Sequence, residues 1–281
     1  MITIKIATGA NNEPAHRRKF QSQAAIFLPK AQLFSGFQRK LNGMRFFIFS
    51  VFTLAVFSCI KSKTQGTSNV PIVDTTSSNI RADTVRSYLA LGDSYTIGQA
   101  VGETERFPAQ TVAILRQQGI KISNPVYIAQ TGWTTANLQQ SINNQNPSTF
   151  NIVTLLIGVN DQYQRVDTSS YAIRFTQLLE KAVQLANGKK SNVFVLSIPD
   201  YSVTPFVAAA DKIRVSTEID WFNAINKRIT LFYGVSYTDI TLSTRQASTN
   251  ASLLATDNLH PSGSEYQKWA ELLAPKIKVV L

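Results

Sequence analysis

The stretch YLALGDSYTIG, Tyr88 to Gly98, decides the fold. It opens as a short apolar run and breaks at Gly92-Asp93-Ser94, with a small polar turn behind. Apolar runs of this length, bounded by turn residues, suit strands buried on both faces of a parallel sheet. A serine at the mouth of such a strand is a turn residue, part of a phosphate cradle, or a nucleophile. The chain has no Gly-x-x-x-x-Gly-Lys pattern, which argues against the cradle.

Working outward, comparable runs recur at PVYIA (125–129), IVTLLIG (152–158), VFVLSI (193–198) and VSYTDI (235–240). Segments with helical apolar spacing lie between and after them. Phe175, Leu178, Leu179, Ala182, Val183 and Ala186 form one stripe. Ile219, Phe222, Ile229 and Phe232 form a second, and Tyr266, Trp269, Ala270, Leu273 and Ile277 a third. Strand–helix alternation of this kind predicts an α/β fold with about five parallel strands between two helical layers, over residues 86–281.

Ligands of such sheets bind outside the carboxyl ends of the strands. Four polar clusters fall there: Ser94 after the first run, AQTGWTT (129–135) after the second, GVND (158–161) after the third, and DNLHPSG (257–263) after the fifth. A serine hydroxyl needs a base to become nucleophilic, and histidine is the usual base near neutral pH. Of the two histidines, His16 lies far upstream, so His260 is the candidate. Asp257, three residues earlier, is the candidate carboxylate to orient the ring, with Asp161 as a rival. Ser262 with Glu265 reads as a capping box opening the last helix. Gly132, Asn160 and the Ser94 amide are candidate oxyanion donors. Asp93 reads as structural. Trp133, Tyr163, Tyr201 and Phe206 are candidate pocket walls, and IPDYSVTP (198–205) carries no assignable role.

Gly92-Asp93-Ser94-Tyr95, Gly132, Gly158-Val159-Asn160-Asp161 and Asp257-Asn258-Leu259-His260 together resemble the four blocks of the SGNH (GDSL) hydrolases, in order, across about 195 residues. The resemblance implies a three-layer flavodoxin-like α/β/α fold. It also implies a serine esterase with nucleophile Ser94, partners Asp257 and His260, oxyanion donors Ser94, Gly132 and Asn160, and no cofactor. Tyr95 stands where the block name has leucine, a position without a chemical role. The expected substrates are small esters: lysophospholipids, short acyl esters or acetylated glycans. A non-catalytic binding module on the same fold is the rival reading. One cysteine and one usable histidine do not build a common zinc site.

The upstream third reads differently. MRFFIFSVFTLAVFSC, Met44 to Cys59, has an uncharged run too short for a bilayer span but suited to a secretory signal. Its terminal cysteine, the only one in the chain, resembles a bacterial lipoprotein site. The expectation is an envelope protein, a monomer anchored in the membrane through lipidated Cys59. Residues 1–43 read as a start-site extension ahead of Met44, and 59–85, rich in Ser, Thr and Asn, as a flexible tether with a reach of roughly 28 Å. The formal charge of +11 is concentrated upstream: residues 1–45 carry +7, leaving +4 for the rest. That is too little, and too scattered, for nucleic-acid binding.

Overall fold

The computed structural model describes residues 84–281. The extension, the apolar segment with Cys59, and the tether up to residue 83 lie outside the described residues. Five strands, β1 (Tyr88–Gly92), β2 (Val126–Ala129), β3 (Ile152–Leu156), β4 (Val193–Leu196) and β5 (Ser236–Thr238), pair in the order β2-β1-β3-β4-β5. Every pairing is parallel. β1, β3 and β4 are buried along their whole length, as their unbroken apolar runs require.

The helices are α1 (Ser94–Ile97), α2 (Phe107–Gln117), α3 (Thr135–Gln145), α4 (Val159–Tyr163), α5 (Thr168–Leu185), α6 (Lys212–Phe232), α7 (Thr241–Thr244) and α8 (Gly263–Lys278). α2 packs against α8, while α3, α5 and α6 pack in series. The result is a three-layer α/β/α sandwich. Phe107 of α2 meets Tyr266 and Trp269 of α8 at ring-centroid distances of 6.4 and 5.9 Å. That aromatic contact fixes the start of α8, and with it the loop immediately upstream.

Strand order reverses between β1 and β3, so the crevice outside their carboxyl ends is the switch point at which such sheets bind ligands. Gly92 makes that end possible. A Cβ there would lie 2.4 Å from the carbonyl oxygen of Leu156, the last residue of β3, and 2.1 Å from Thr96 Oγ1.

Three sequence expectations need correction. α2 and α3 were not among the apolar stripes; α3 buries only Thr135, Leu138 and Ile142, too thin a pattern to stand out. Phe232 is 85% exposed. The buried line of α6 runs through Val215, Ile219, Phe222, Asn226 and Thr230 instead, so polar residues occupy its last turns. Ser262 does precede α8 but makes no capping bond to it. The Glu265 side chain turns inward and accepts from Trp269 Nε1 at 2.9 Å, so no capping box forms.

Candidate active site

Ser94 is the first residue of α1, directly after the β1 turn, and is 4% exposed. Asp93 caps that turn: its Oδ1 accepts from the Tyr95 amide at 3.0 Å. Its Oδ2 is buried with no hydrogen-bond partner, and burial pushes the carboxyl up to about 8. This agrees with the structural reading of Asp93.

The histidine arrives from the far end of the chain. Residues 253–262 fold back on themselves: Leu254 and Pro261 bridge, the Ala255 amide donates to the His260 carbonyl at 2.8 Å, and the Ser262 amide donates to Leu253 at 2.8 Å. Asn258 takes φ +56 at the tip, a region asparagine tolerates. Inside this turn Asp257 Oδ1 accepts from the amides of Leu259 and His260, both at 3.0 Å. Asp257 Oδ2 lies 2.6 Å from His260 Nδ1, and His260 Nε2 lies 2.9 Å from Ser94 Oγ. With the proton on Nδ1, where the carboxylate accepts it, Nε2 presents its lone pair to the serine hydroxyl. Burial opposes the charge on Asp257, but the bonds from His260 and Leu259 outweigh it and hold the carboxyl below its ordinary range. Asp257, His260 and Ser94 therefore form one continuous hydrogen-bonded relay across 166 positions of sequence.

Asp161 is not part of it. Both its oxygens are taken by the first residue of α3: Thr135 Oγ1 donates at 2.6 Å and the Thr135 amide at 2.8 Å. Asp161 is a buried tie between α4 and α3, and burial raises its pKa. Asn160, beside it, lines the same cavity as Ser94 and His260. Asn160 Nδ2 donates to the Trp133 carbonyl at 3.0 Å, leaving its second amide hydrogen for another acceptor. That bond ties the loop holding Gly132 to α4. Gly132 is exposed, at φ +81, a conformation that favours glycine. It sits one residue from the bonded carbonyl rather than in the lining of the Ser94 cavity.

Tyr163, Tyr201 and Phe206 do line the cavity; Trp133 is drawn in only through its carbonyl. Tyr95, set aside on sequence as chemically idle, packs its ring 5.0 Å from that of His260. Val159 and Leu259 complete the wall. Their only sequence signal is adjacency to Asn160 and His260. IPDYSVTP also gains a place: it carries Tyr201 to the cavity. Its Asp200 accepts from the Ser202 amide, Ser216 Oγ and Arg245 Nε at 2.9, 2.7 and 2.8 Å, which pins the loop.

A serine–histidine–aspartate relay at the carboxyl edge of a five-stranded parallel sheet defines a serine hydrolase of the three-layer α/β/α class. Residues 90–268 match the GDSL-like lipase/acylhydrolase family, and the chain belongs to that family. Its general chemistry is ester hydrolysis. Similar solved structures include a lipase/acylhydrolase from Enterococcus faecalis, at 16% identity and TM-score 0.54, covering 69% of this chain and 96% of that one. An acetylxylan esterase from Geobacillus stearothermophilus aligns at 18% identity and TM-score 0.52, covering 68% and 94%. A psychrotrophic esterase from Pseudoalteromonas sp. aligns at 16% identity and TM-score 0.51, covering 69% and 97%. At these identities the likeness is one of fold. No curated protein matches the chain.

Proposed function

We propose that the protein hydrolyses small carboxylic esters through an acyl-enzyme on Ser94. Ser94 Oγ attacks the ester carbonyl as its proton passes to His260 Nε2. Asp257 holds the Nδ1 proton and stabilises the imidazolium. The free Asn160 amide hydrogen and the Ser94 amide, both at the Ser94 cavity, receive the developing oxyanion; the Gly132 amide, the third donor the family resemblance offers, lies one residue from the carbonyl that Asn160 binds. His260 then protonates the departing alkoxide. Water, activated by the same nitrogen, attacks the acyl-serine, and Ser94 leaves with its proton restored. No cofactor enters any step.

The observation that carries this reading is the relay, at 2.6 and 2.9 Å, inside a lined cavity. A binding module on the same fold has no use for that alignment. The test is labelling by a fluorophosphonate, followed by ester turnover. Labelling confined to Ser94, and loss of at least about 10³-fold in kcat in Ser94→Ala, support it. Labelling that survives Ser94→Ala overturns it.

We also place the enzyme, acting as a monomer, at a bacterial envelope, anchored through acylated Cys59. The support is the apolar run ending at a lone cysteine, followed by a polar tether. Acyl chains contribute membrane affinity of about 0.8 kcal/mol per buried CH₂, and more than one makes anchoring stable. Among the described residues, no helix is long and apolar enough to cross a membrane. Uptake of labelled palmitate that is lost in Cys59→Ala is the expected result; uptake by that variant refutes the assignment.

A further inference from the structure

We propose that the ester extends past an aromatic shelf into a second, polar subsite, and that the part lying there is a hydroxyl-rich ring such as a sugar. This deepens the esterase reading and rests on it.

The cavity over Ser94 is about 140 Å³. It is the smaller of the two cavities that meet at the aromatic shelf. A larger cavity of about 420 Å³ adjoins it, within the range of about 300–1,000 Å³ that small-molecule sites occupy. Three residues line both: Tyr163, Tyr201 and Phe206. Their rings form a triangle, with centroids 6.1 to 6.4 Å apart. Tyr163 is 58% and Phe206 53% exposed, so the shelf presents apolar rings to solvent at the edge of a catalytic cavity.

The Tyr201 corner of the shelf is anchored by a chain of hydrogen bonds. Tyr201 Oη donates to Gln162 Oε1 at 2.8 Å, and Gln162 Nε2 donates to Glu218 Oε2 at 2.7 Å. Arg214 Nη1 donates to Glu218 Oε2 at 3.1 Å, and Arg214 Nη2 to Asp211 Oδ1 at 2.8 Å. This chain runs beside the larger cavity, whose lining includes Gln162, Arg165, Asp211 and Arg214.

That chemistry selects the occupant. An alkyl chain would find Val207, Ala208 and Val215 in the wall, but it would also displace water from the guanidinium, carboxylate and amide groups beside them without replacing their hydrogen bonds. A strongly anionic headgroup meets Arg214, already paired with Asp211 and Glu218, and Arg165, set in the same lining as the Asp211 carboxylate, so the anionic ester is one arm of the test. A ring bearing hydroxyls suits both halves of the site. Its C–H face lies on Tyr163 and Phe206, and its hydroxyls find donors and acceptors together on the polar side. Tyr163 and Phe206 are therefore specificity-determining residues.

The test uses the full chain in a pH-stat assay, which needs no aromatic leaving group that would itself stack on the shelf. Three esters are compared: methyl 6-O-acetylglucoside, ethyl acetate and ethyl octanoate, with the lysophospholipid lysophosphatidylglycerol as the anionic case. The expected order is sugar acetate over ethyl acetate by at least tenfold in kcat/KM. Tyr163→Ala and Phe206→Ala should each lower that ratio by about five- to tenfold, and Arg165→Ala by a smaller factor. Both aromatic side chains are half exposed, so neither substitution threatens the fold. A ratio near one in the parent, or a ratio unmoved by both aromatic variants, overturns the subsite. Preference for the octanoate or the lysophospholipid overturns it in favour of a lipid substrate. In each of these cases an active enzyme leaves the Ser94 mechanism standing. Only failure on all four esters, with no fluorophosphonate labelling, strikes that mechanism itself.

Discussion

Asp257→Asn separates what the triad carboxylate does for chemistry from what it does for the loop. Asp257 Oδ1 accepts two backbone amides, and Oδ2 faces His260 Nδ1 at 2.6 Å. Asparagine keeps the first pair, since its carbonyl oxygen accepts both amides. It places an amide N–H₂ opposite Nδ1, which must then accept. The imidazole proton moves to Nε2, and Nε2 can no longer receive the Ser94 proton. The expected loss in kcat is about 10³ to 10⁴-fold, or ~4 to 5.5 kcal/mol of transition-state stabilisation, as for the same change in serine-protease triads. Stability should hardly change. Asp257→Ala should lose comparable activity but also strand the amides of Leu259 and His260. A fully buried stranded donor costs ~1 to 3 kcal/mol, but here the His260 bond is part-buried and the Leu259 bond exposed. Because the Asp257 side chain is 29% exposed, water reaches part of that loop, and a total near the lower end, about 1 to 2 kcal/mol, is expected. Steady-state ester hydrolysis and urea unfolding on the same three proteins decide the matter. An asparagine variant keeping a tenth of the activity would refute the tautomer argument. Equal destabilisation by both substitutions would refute the division of labour between the two oxygens.

Asn160→Ala should lose about 10² to 10³-fold in kcat with little change in KM, because its donor is wanted only as charge builds; a raised KM with normal kcat would make it a ground-state binding residue. Asp93, with its pKa raised by burial to about 8, stays protonated when folded at pH values where the unfolded chain is ionised. The folded state then binds the extra proton, so this group's contribution to stability falls as pH rises from about 4 to about 8. Thermal melts should show that slope reduced in Asp93→Asn, and an unchanged slope would deny the shift. Arg245→Ala leaves the fully buried Asp200 without its ion partner. Breaking a buried pair costs ~3 to 5 kcal/mol, but Arg245 is 30% exposed and Asp200 keeps two other donors, so about 2 kcal/mol is expected. That corresponds to roughly 4 to 8 °C in Tm, and an unshifted melt would mean the loop does not depend on this pair.

The chain states much of this design locally. Continuous apolar runs mark β1, β3 and β4 as strands buried on two faces, and the edge strands β2 and β5, which are partly exposed, were legible from runs of the same kind near their observed bounds. The runs themselves carry few polar residues, Thr154, Ser197 and the Ser236 to Asp239 stretch among them, and the clusters containing Ser94, Gly132, Asn160 and His260 follow at their ends. Asp257 and His260 share one turn, and three residues of separation suffice to bring carboxylate and ring together. What the chain does not state locally is anything set by distant partners. Asp161 and Asp257 are both carboxylates beside a motif residue; only the docking of α3 on α4, which supplies Thr135 to both Asp161 oxygens, removes one from contention. Phe232 continues an apolar spacing yet faces solvent, because α6 turns Asn226 and Thr230 inward and an amphipathic pattern fixes no neighbour. Glu265 has the sequence of a cap and the position of a buried acceptor, because Trp269, four residues on, is buried beside it and needs one. The bond between Ser94 and His260, and the shelf built from Tyr163, Tyr201 and Phe206, join segments that no periodicity relates. They exist because the α2–α8 contact brings the histidine loop over the β1 turn, and because the bonds of Asp200 hold Tyr201 over the same crevice.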